Sequence, residues 1–171
     1  MQSKKSFGAA AVLAGAAVVL AGCSGTTSGS SPTATNAGAT VTITVSSFNR
    51  DFSSMSTLKS LASKGSGNVA VILPDTVTSA RYTEFDAPYL TKAFTAAGLT
   101  SSQFSVQNAQ GSDATQLTDA QSAITAGATV LVVDPLEAGV GAQIENSAKQ
   151  HSVQVIDCDR LSLGGTRGYY V

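Results

Sequence analysis

Short apolar segments alternate with amphipathic helical patterns from residue 68 to the end of the chain, and this alternation restricts the fold most. Strands are predicted at 69–73, 104–106, 129–133 and 153–156, with a further strand beginning at 168. Strands that are apolar on both faces are typical of parallel sheets buried between helices. With right-handed crossovers, the pattern predicts an open, doubly wound α/β sheet of flavodoxin-like strand order 2-1-3-4-5.

Three helical patterns separate these strands. Gly98 and Gly127 follow the first two patterns, where a left-handed residue commonly ends a helix. Asp113 followed by Gln116 resembles a capping box, and Pro88 predicts a helix start or a kink beside it. The apolar stripes are Phe85, Tyr89, Ala93 and Ala96, then Leu117, Ala120 and Ile124, and finally Val140, Ile144 and Ala148.

The N-terminus carries a targeting signal. Lys4 and Lys5 precede an apolar run, 7–20, and the sequence Leu-Ala-Gly-Cys then ends at Cys23. The run is shorter than the ~20 apolar residues that a spanning helix needs, so residues 1–22 predict a secretory signal peptide. Leu-Ala-Gly-Cys resembles the bacterial lipobox, which implies a lipidated Cys23 that holds the protein on a membrane. The alternative is an ordinary signal peptide with a chance cysteine.

Two segments separate this leader from the α/β domain at 68–171. Residues 23–40 predict a flexible linker, because the residues after Cys23 are only Ser, Gly, Thr, Pro, Ala and Asn. Residues 41–67 predict an N-terminal arm made of a short strand and a helix. The strand pattern is carried by Val41, Ile43 and Val45, and the helical spacing by Phe48, Phe52, Met55, Leu58 and Leu61. We expect the α/β domain to be incomplete, because its last predicted strand has only begun where the chain stops.

Composition excludes several classes of function. Ten Lys and Arg nearly balance eleven Asp and Glu, so no basic surface for nucleic acid is predicted. The single histidine, His151, has no second histidine or cysteine cluster, so we expect no metal site, no Ser-His-Asp triad and no cofactor. Cys158 lies between two aspartates, which disfavour a thiolate, and we interpret it as a half-buried thiol. The glycine-rich segment 164–168 fits no phosphate-binding motif and predicts a hairpin-like turn or loop.

Charged and aromatic residues directly follow several predicted strands. They are Asp75, Arg81 and Tyr82 after the first strand, Asp134 after the third, and Asp157, Asp159 and Arg160 after the fourth. Ligands of open parallel sheets bind beyond the carboxyl ends of the strands, so we expect these side chains at one rim. Carboxylates accept from hydroxyls, guanidiniums donate to them, and an aromatic ring packs on a pyranose, so the set suits a polyhydroxylated ligand. The structural alternative is surface ion pairing, or turn capping for the two aspartates that adjoin a proline.

The ordered segments resemble the type 1 periplasmic sugar-binding proteins, particularly the xylose-binding branch and its lipoprotein relatives. These proteins are the substrate-binding subunits of ABC sugar importers. The segments that carry the resemblance are 68–75, 79–82, 113–121, 129–135 and 153–160. The resemblance implies one lobe of a two-lobed protein that closes around its ligand, with Arg81, Tyr82, Asp159 and Arg160 contacting sugar. An aromatic residue usually stands in the family where this chain has Cys158.

We therefore interpret the chain as most of the N-terminal lobe of an extracytoplasmic, lipid-anchored sugar-binding protein without catalytic activity. The expected partners are a monosaccharide such as xylose, an ABC transporter permease and the membrane, and the chain is expected to be a monomer. A lone lobe is expected to bind sugar weakly. The alternative function is a sugar-sensing or structural surface lipoprotein domain that presents its ligand to a receptor. A third alternative is a secreted enzyme on the same sheet. It is disfavoured because the sequence lacks the histidine and cysteine residues that such catalysis would use.

Overall fold

Five parallel strands form one sheet in the computed structural model, which describes residues 44–47 and 49–171. The strand order is β2-β1-β3-β4-β5, which confirms the predicted α/β class and order. The strands are β1 (Asn68–Leu73), β2 (Phe104–Asn108), β3 (Ala128–Val133), β4 (Gln154–Asp157) and β5 (Tyr169–Tyr170). The predicted leader, the linker and Cys23 lie outside the described residues.

Helices cover both faces of this sheet. The short α1 (Lys59–Ala62) follows a 3-10 turn at Ser53–Leu58, and the three longer helices are α2 (Ala87–Ala96), α3 (Asp113–Thr125) and α4 (Ala138–Gln150). Helices α3 and α4 share a buried apolar cluster with one face of the sheet, and α2 packs on the other face. Among the described residues, none of the helices has the length and apolar character that crossing a bilayer requires.

Alternation along β3 shows how the sheet separates these two layers. Leu131 and Val133 are fully buried in the α3/α4 cluster, whereas Val132 contacts the α2 cluster. Successive strand side chains point to opposite faces, so a strand that is apolar at every position can serve both layers. The predicted stripes of α3 and α4 are confirmed, since Ile124 and Ile144 both lie in the first cluster.

Helix α2 packs on the sheet through a different face from the one that its predicted apolar stripe indicated. Ala87, Leu90 and Phe94 contact the sheet-side cluster, whereas Phe85 and Tyr89 are 48% and 40% exposed. Pro88 lies in the first turn of α2, which follows a π-helical turn at Tyr82–Asp86 and fits the predicted helix start. The stripe prediction was wrong because the Tyr89 ring packs edge-on against the N-terminal arm, 5.7 Å from the ring of Phe52.

Helix α3 begins at Asp113, so the predicted capping box, in which Asp113 is the N-cap, was wrong by one residue. Ser112 is the N-cap, and its hydroxyl accepts from the amide of Thr115 at 3.2 Å. The Gln116 side chain is therefore free to reach the end of β3, where it donates to the carbonyl of Asp134 and accepts from the amide of Leu136, both at 2.9 Å. Beyond the helix, Gly127 adopts φ +90°, as predicted for a C-terminal cap.

Two further elements differ from the sequence interpretation. Val45 begins a 3-10 turn rather than lying in a strand, while Val41 and Ile43 lie outside the described residues. Strand β5 pairs with β4 in parallel, with Ile156 opposite Tyr169, so residues 164–168 are not a hairpin-like turn but the loop that was the other alternative. Residues 158–168 instead form an irregular crossover, here named the crossover segment.

Candidate functional site

Five side chains meet at the carboxyl ends of β1, β3 and β4. Arg81 and Tyr82 follow β1, Asp134 follows β3 directly, and Asp159 and Arg160 follow β4. Ion pairs and hydrogen bonds connect all five, and we name them the rim cluster. The sheet rule that ligands bind beyond the carboxyl ends of parallel strands places a site at this rim.

Asp134 is the centre of the rim cluster. Its side chain is 2% exposed, and its two oxygens lie 3.7 Å from Nη2 of Arg81 and 3.6 Å from Nε of Arg160. Neither oxygen has a hydrogen-bond partner, although both are buried. Burial raises the pKa of Asp134 to about 7, against the opposing effect of Arg160. A carboxylate so placed can accept hydrogen bonds from a group that enters between the two guanidiniums.

Arg81 connects this centre to the solvent-facing edge. Its Nε donates to Oδ2 of Asp86 at 2.8 Å, and its Nη1 lies 3.1 Å from Oδ2 of Asp159. The hydrogen bond to Asp86 is the largest cause of the raised pKa of Arg81, so this guanidinium stays charged. Its side chain is 41% exposed, which leaves donors accessible to a ligand.

Hydrogen bonds to three other residues hold the guanidinium of Arg160 in place. Its Nη2 donates to the phenol oxygen of Tyr82 at 2.8 Å, and its Nη1 donates to the carbonyls of Pro135 and Leu136 at 3.4 and 3.3 Å. Several directional bonds restrict the orientation of the planar guanidinium. Arg160 therefore presents its Nε edge to Asp134.

The buried ring of Tyr82 packs against the guanidinium groups of both arginines. Its ring is 2% exposed, and the guanidinium carbons of Arg81 and Arg160 lie 5.1 and 5.8 Å from the ring centroid, within cation–π distance. Burial raises the pKa of the phenol, so its hydroxyl stays protonated. The buried ring has no open face on which a pyranose could pack, although such packing was predicted from the sequence.

Asp75 and Asp157 do not join the rim cluster. Asp75 accepts from the amides of Val77 and Thr78 at 2.8 and 2.7 Å and from the Thr78 hydroxyl, and this hydroxyl contributes most to the lowered pKa of Asp75. Asp157 is buried and accepts from the amide of Ser162. Both carboxylates thus stabilise local backbone, and a ligand contact by Asp75 stays a prediction.

A cavity of about 230 Å³ lies beside the rim cluster, between α2 and the sheet. Its apolar walls include Phe52, Tyr89 and Val132, and Asp134 and Cys158 also line it. Burial raises the pKa of the Cys158 thiol, which agrees with its interpretation as an unreactive, half-buried group. Sequence reasoning missed Asp86 and Phe52. Asp86 stands five residues after Arg81, and the π-helical turn between them brings the two side chains into contact.

The described part of the chain holds no group of three or more His, Cys, Asp or Glu side chains arranged for a metal ion. The rim cluster itself consists of charged and polar groups that donate and accept hydrogen bonds. Two guanidiniums donate and one carboxylate accepts hydrogen bonds, so this set of groups is chemically suited to neighbouring hydroxyl groups on a small polar molecule.

No protein-family model matches this chain, and a comparison with curated proteins finds no match. Among the solved structures that are similar to this chain, two hold glucose. A carbohydrate transporter solute-binding protein from Chloroflexus aurantiacus, in complex with D-glucose, is 27% identical with a TM-score of 0.55 and covers 60% of this chain and 29% of its own. An ABC transporter solute-binding protein from Clostridium phytofermentans, with bound β-D-glucose, is 25% identical with a TM-score of 0.54 and covers 60% and 30%.

These likenesses confirm the resemblance to the type 1 periplasmic sugar-binding proteins and the fold of one of their lobes. The chain spans less than a third of the length of either similar structure. Both are solute-binding proteins, in agreement with the expectation that this chain is not an enzyme.

Proposed function

We propose that this chain binds a monosaccharide outside the cytoplasm and supplies it to the permease of an ABC transporter. The observation that carries the proposal is the buried Asp134 carboxylate, whose two oxygens lack hydrogen bonds between Arg81 and Arg160. The glucose bound by the two similar structures supports a sugar ligand. Glucose, and the pentose xylose favoured by the sequence resemblance, are the first candidates.

Recognition follows from the complementary chemistry of hydroxyl groups. A sugar hydroxyl donates a hydrogen bond to Asp134 and accepts one from a guanidinium, which replaces the 3.6–3.7 Å ion pairs by shorter hydrogen bonds. Hydrogen bonds to charged groups contribute roughly 1.5–3 kcal/mol each. In this proposal, Asp159 and Arg81 bind a second hydroxyl at the edge, and Tyr82 holds both arginines in place.

The remaining parts of the proposal concern transport. The lipobox-like sequence at Cys23 supports attachment to the outer face of the cell membrane through a lipid. Residues 23–40 then form a tether between that lipid and the domain. This arrangement keeps a captured sugar close to the permease.

Titration of the purified chain with D-glucose and D-xylose, followed by NMR, tests the proposal. We expect millimolar binding, with shifts concentrated at the rim cluster, because one lobe supplies only part of the contacts. Arg160→Ala should weaken binding at least about tenfold, since it removes charged hydrogen bonds and frees Tyr82. Arg50→Ala is the matched control, because Arg50 is exposed and lies outside the rim cluster. Equal binding by the two variants, or shifts elsewhere on the domain, would contradict the proposal.

A further inference from the structure

The crossover segment, residues 158–168, carries Asp159 and Arg160 at its start and packs against α4. Strand order alone does not fix this irregular chain, which contains no helix or strand of its own. Its first turn is tight, because the amide of Arg160 donates to the carbonyl of Cys158 at 2.7 Å and Asp159 adopts φ +64°. Such a conformation persists only where surrounding structure holds it.

Glu145 of α4 provides that support from beneath the crossover segment. Its side chain is 1% exposed, and its Oε2 accepts from the backbone amide of Arg167 at 2.5 Å. Its Oε1 lies 3.8 Å from Nη1 of Arg167, and its carbonyl accepts from the Thr166 hydroxyl at 3.3 Å. One glutamate thus bonds to two consecutive residues of the segment.

Arg167 carries the connection back toward Arg160. Its Nη1 donates to the carbonyl of Ser162 at 2.9 Å and lies 3.8 Å from Oδ2 of Asp157. The same Asp157 oxygen accepts from the amide of Ser162 at 2.9 Å. Ser162 is therefore held on both sides of its backbone, two residues after Arg160.

Close packing reinforces these bonds. A Cβ at Gly165 would lie 2.1 Å from Oε2 of Glu145, and a Cβ at Gly141 would lie 2.0 Å from Oγ of Ser162. Real side-chain carbons do not approach so closely, so glycine at these two positions lets the crossover segment lie directly on α4.

We propose that Glu145 is a positioning residue for the sugar site: it holds the crossover segment so that Arg160 faces Asp134 and Asp159 faces Arg81. The inference rests on the proposed function, but it assigns a role to a buried side chain that does not itself belong to the rim cluster. Loss of the Glu145 carboxylate frees the Arg167 amide and guanidinium, and the segment then loosens from α4.

Two measurements test the inference, and the first needs no sugar. Alkylation of Cys158, measured by mass spectrometry of its peptide, reports how firmly the start of the crossover segment is held. Glu145→Ala should raise the alkylation rate at least about threefold, because opening of the segment exposes the half-buried thiol. Glu145→Gln retains an acceptor for the Arg167 amide and should restore most of the protection. Ile144→Val, a core change at the residue directly before Glu145 in the same helix, is the control for general loss of stability.

The second measurement is a double-mutant cycle on D-glucose affinity. Glu145→Ala should weaken glucose binding about tenfold in the natural sequence but by less than about twofold when Arg160 is already replaced by Lys. A lysine keeps the positive charge without the planar fork, so binding stays measurable. Equal losses in both backgrounds, or Cys158 alkylation that matches that of Ile144→Val, would overturn the role of Glu145. If no variant binds glucose but alkylation follows the expected order, the sugar assignment fails and the positioning of the crossover segment stands.

Discussion

Asp134 and Asp157 are aspartates at the ends of neighbouring strands, but their carboxylates have different hydrogen-bond partners. Both are buried, at 2% and 0% exposure, and each lies within 4 Å of an arginine nitrogen. Asp157 accepts from the Ser162 amide, and the crossover segment closes over it. Asp134 accepts from no group of the described chain and lies among the exposed edges of two arginines.

This difference separates a structural carboxylate from one prepared for a ligand. A buried carboxylate without hydrogen bonds destabilises a fold, so its retention needs another benefit. At Asp157 the backbone supplies a donor to Oδ2, which stabilises the folded chain, although Oδ1 is buried without a partner. At Asp134 the donor has to come from outside, which is the role that we propose for a sugar hydroxyl.

Replacement of each aspartate by alanine is expected to give the largest contrast. Asp157→Ala leaves the buried Ser162 amide without its acceptor and removes one of the two carboxylates beside the Arg167 guanidinium, and it should lower the free energy of unfolding by about 3–4 kcal/mol. Asp134→Ala removes a desolvated charge that makes no hydrogen bond, and it should cost less than about 1 kcal/mol. Urea unfolding at pH 7 measures both values. Similar losses for the two variants would mean that Asp134 is a structural residue.

The pH dependence of stability should show the cost of the Asp134 charge. Its pKa rises from the ordinary 3.8 to about 7 on folding, because burial disfavours the carboxylate. The unfolded chain therefore loses this proton at lower pH than the folded chain does. Between pH 4 and pH 7 the folded state binds more protons, and stability falls as the pH rises, by roughly 3 kcal/mol.

Asp134→Asn isolates this contribution, since the other carboxylates titrate in both proteins. The difference in unfolding free energy between the variant and the natural sequence should change steadily from pH 4 to pH 7, in favour of the variant at the upper end. Thermal or urea unfolding across this range supplies the values. A difference that does not vary with pH would show that Asp134 ionises normally in the folded protein.

The alternation of apolar strands and helices was enough to predict the parallel sheet and its order, because burial on both faces leaves a strong pattern. The distinction between Asp134 and Asp157 could not be predicted in the same way. Both residues follow apolar strands, and their difference depends on the crossover segment, whose parallel return to β5 is a long-range pairing. The sequence also predicted that Tyr82 lies at the rim, but it did not predict that the ring is buried under the two arginines. The π-helical turn that buries the ring has no clear local signal in the sequence.

The smallest expected effect concerns the ion pair between Arg81 and Asp86, which contacts the rim cluster from its exposed side. Exposed pairs of this kind contribute about 0.2–1 kcal/mol, so Asp86→Asn should hardly change the unfolding free energy. The variant frees Nε of Arg81, which then turns toward Asp159 and Asp134, and glucose affinity should change by less than about threefold. Glu84→Gln, an exposed acid in the same turn, is the control in the NMR titration. A loss of binding as large as that of Arg160→Ala would instead place Asp86 among the residues that contact the ligand, and the carboxylate at the centre of the site would no longer be Asp134 alone.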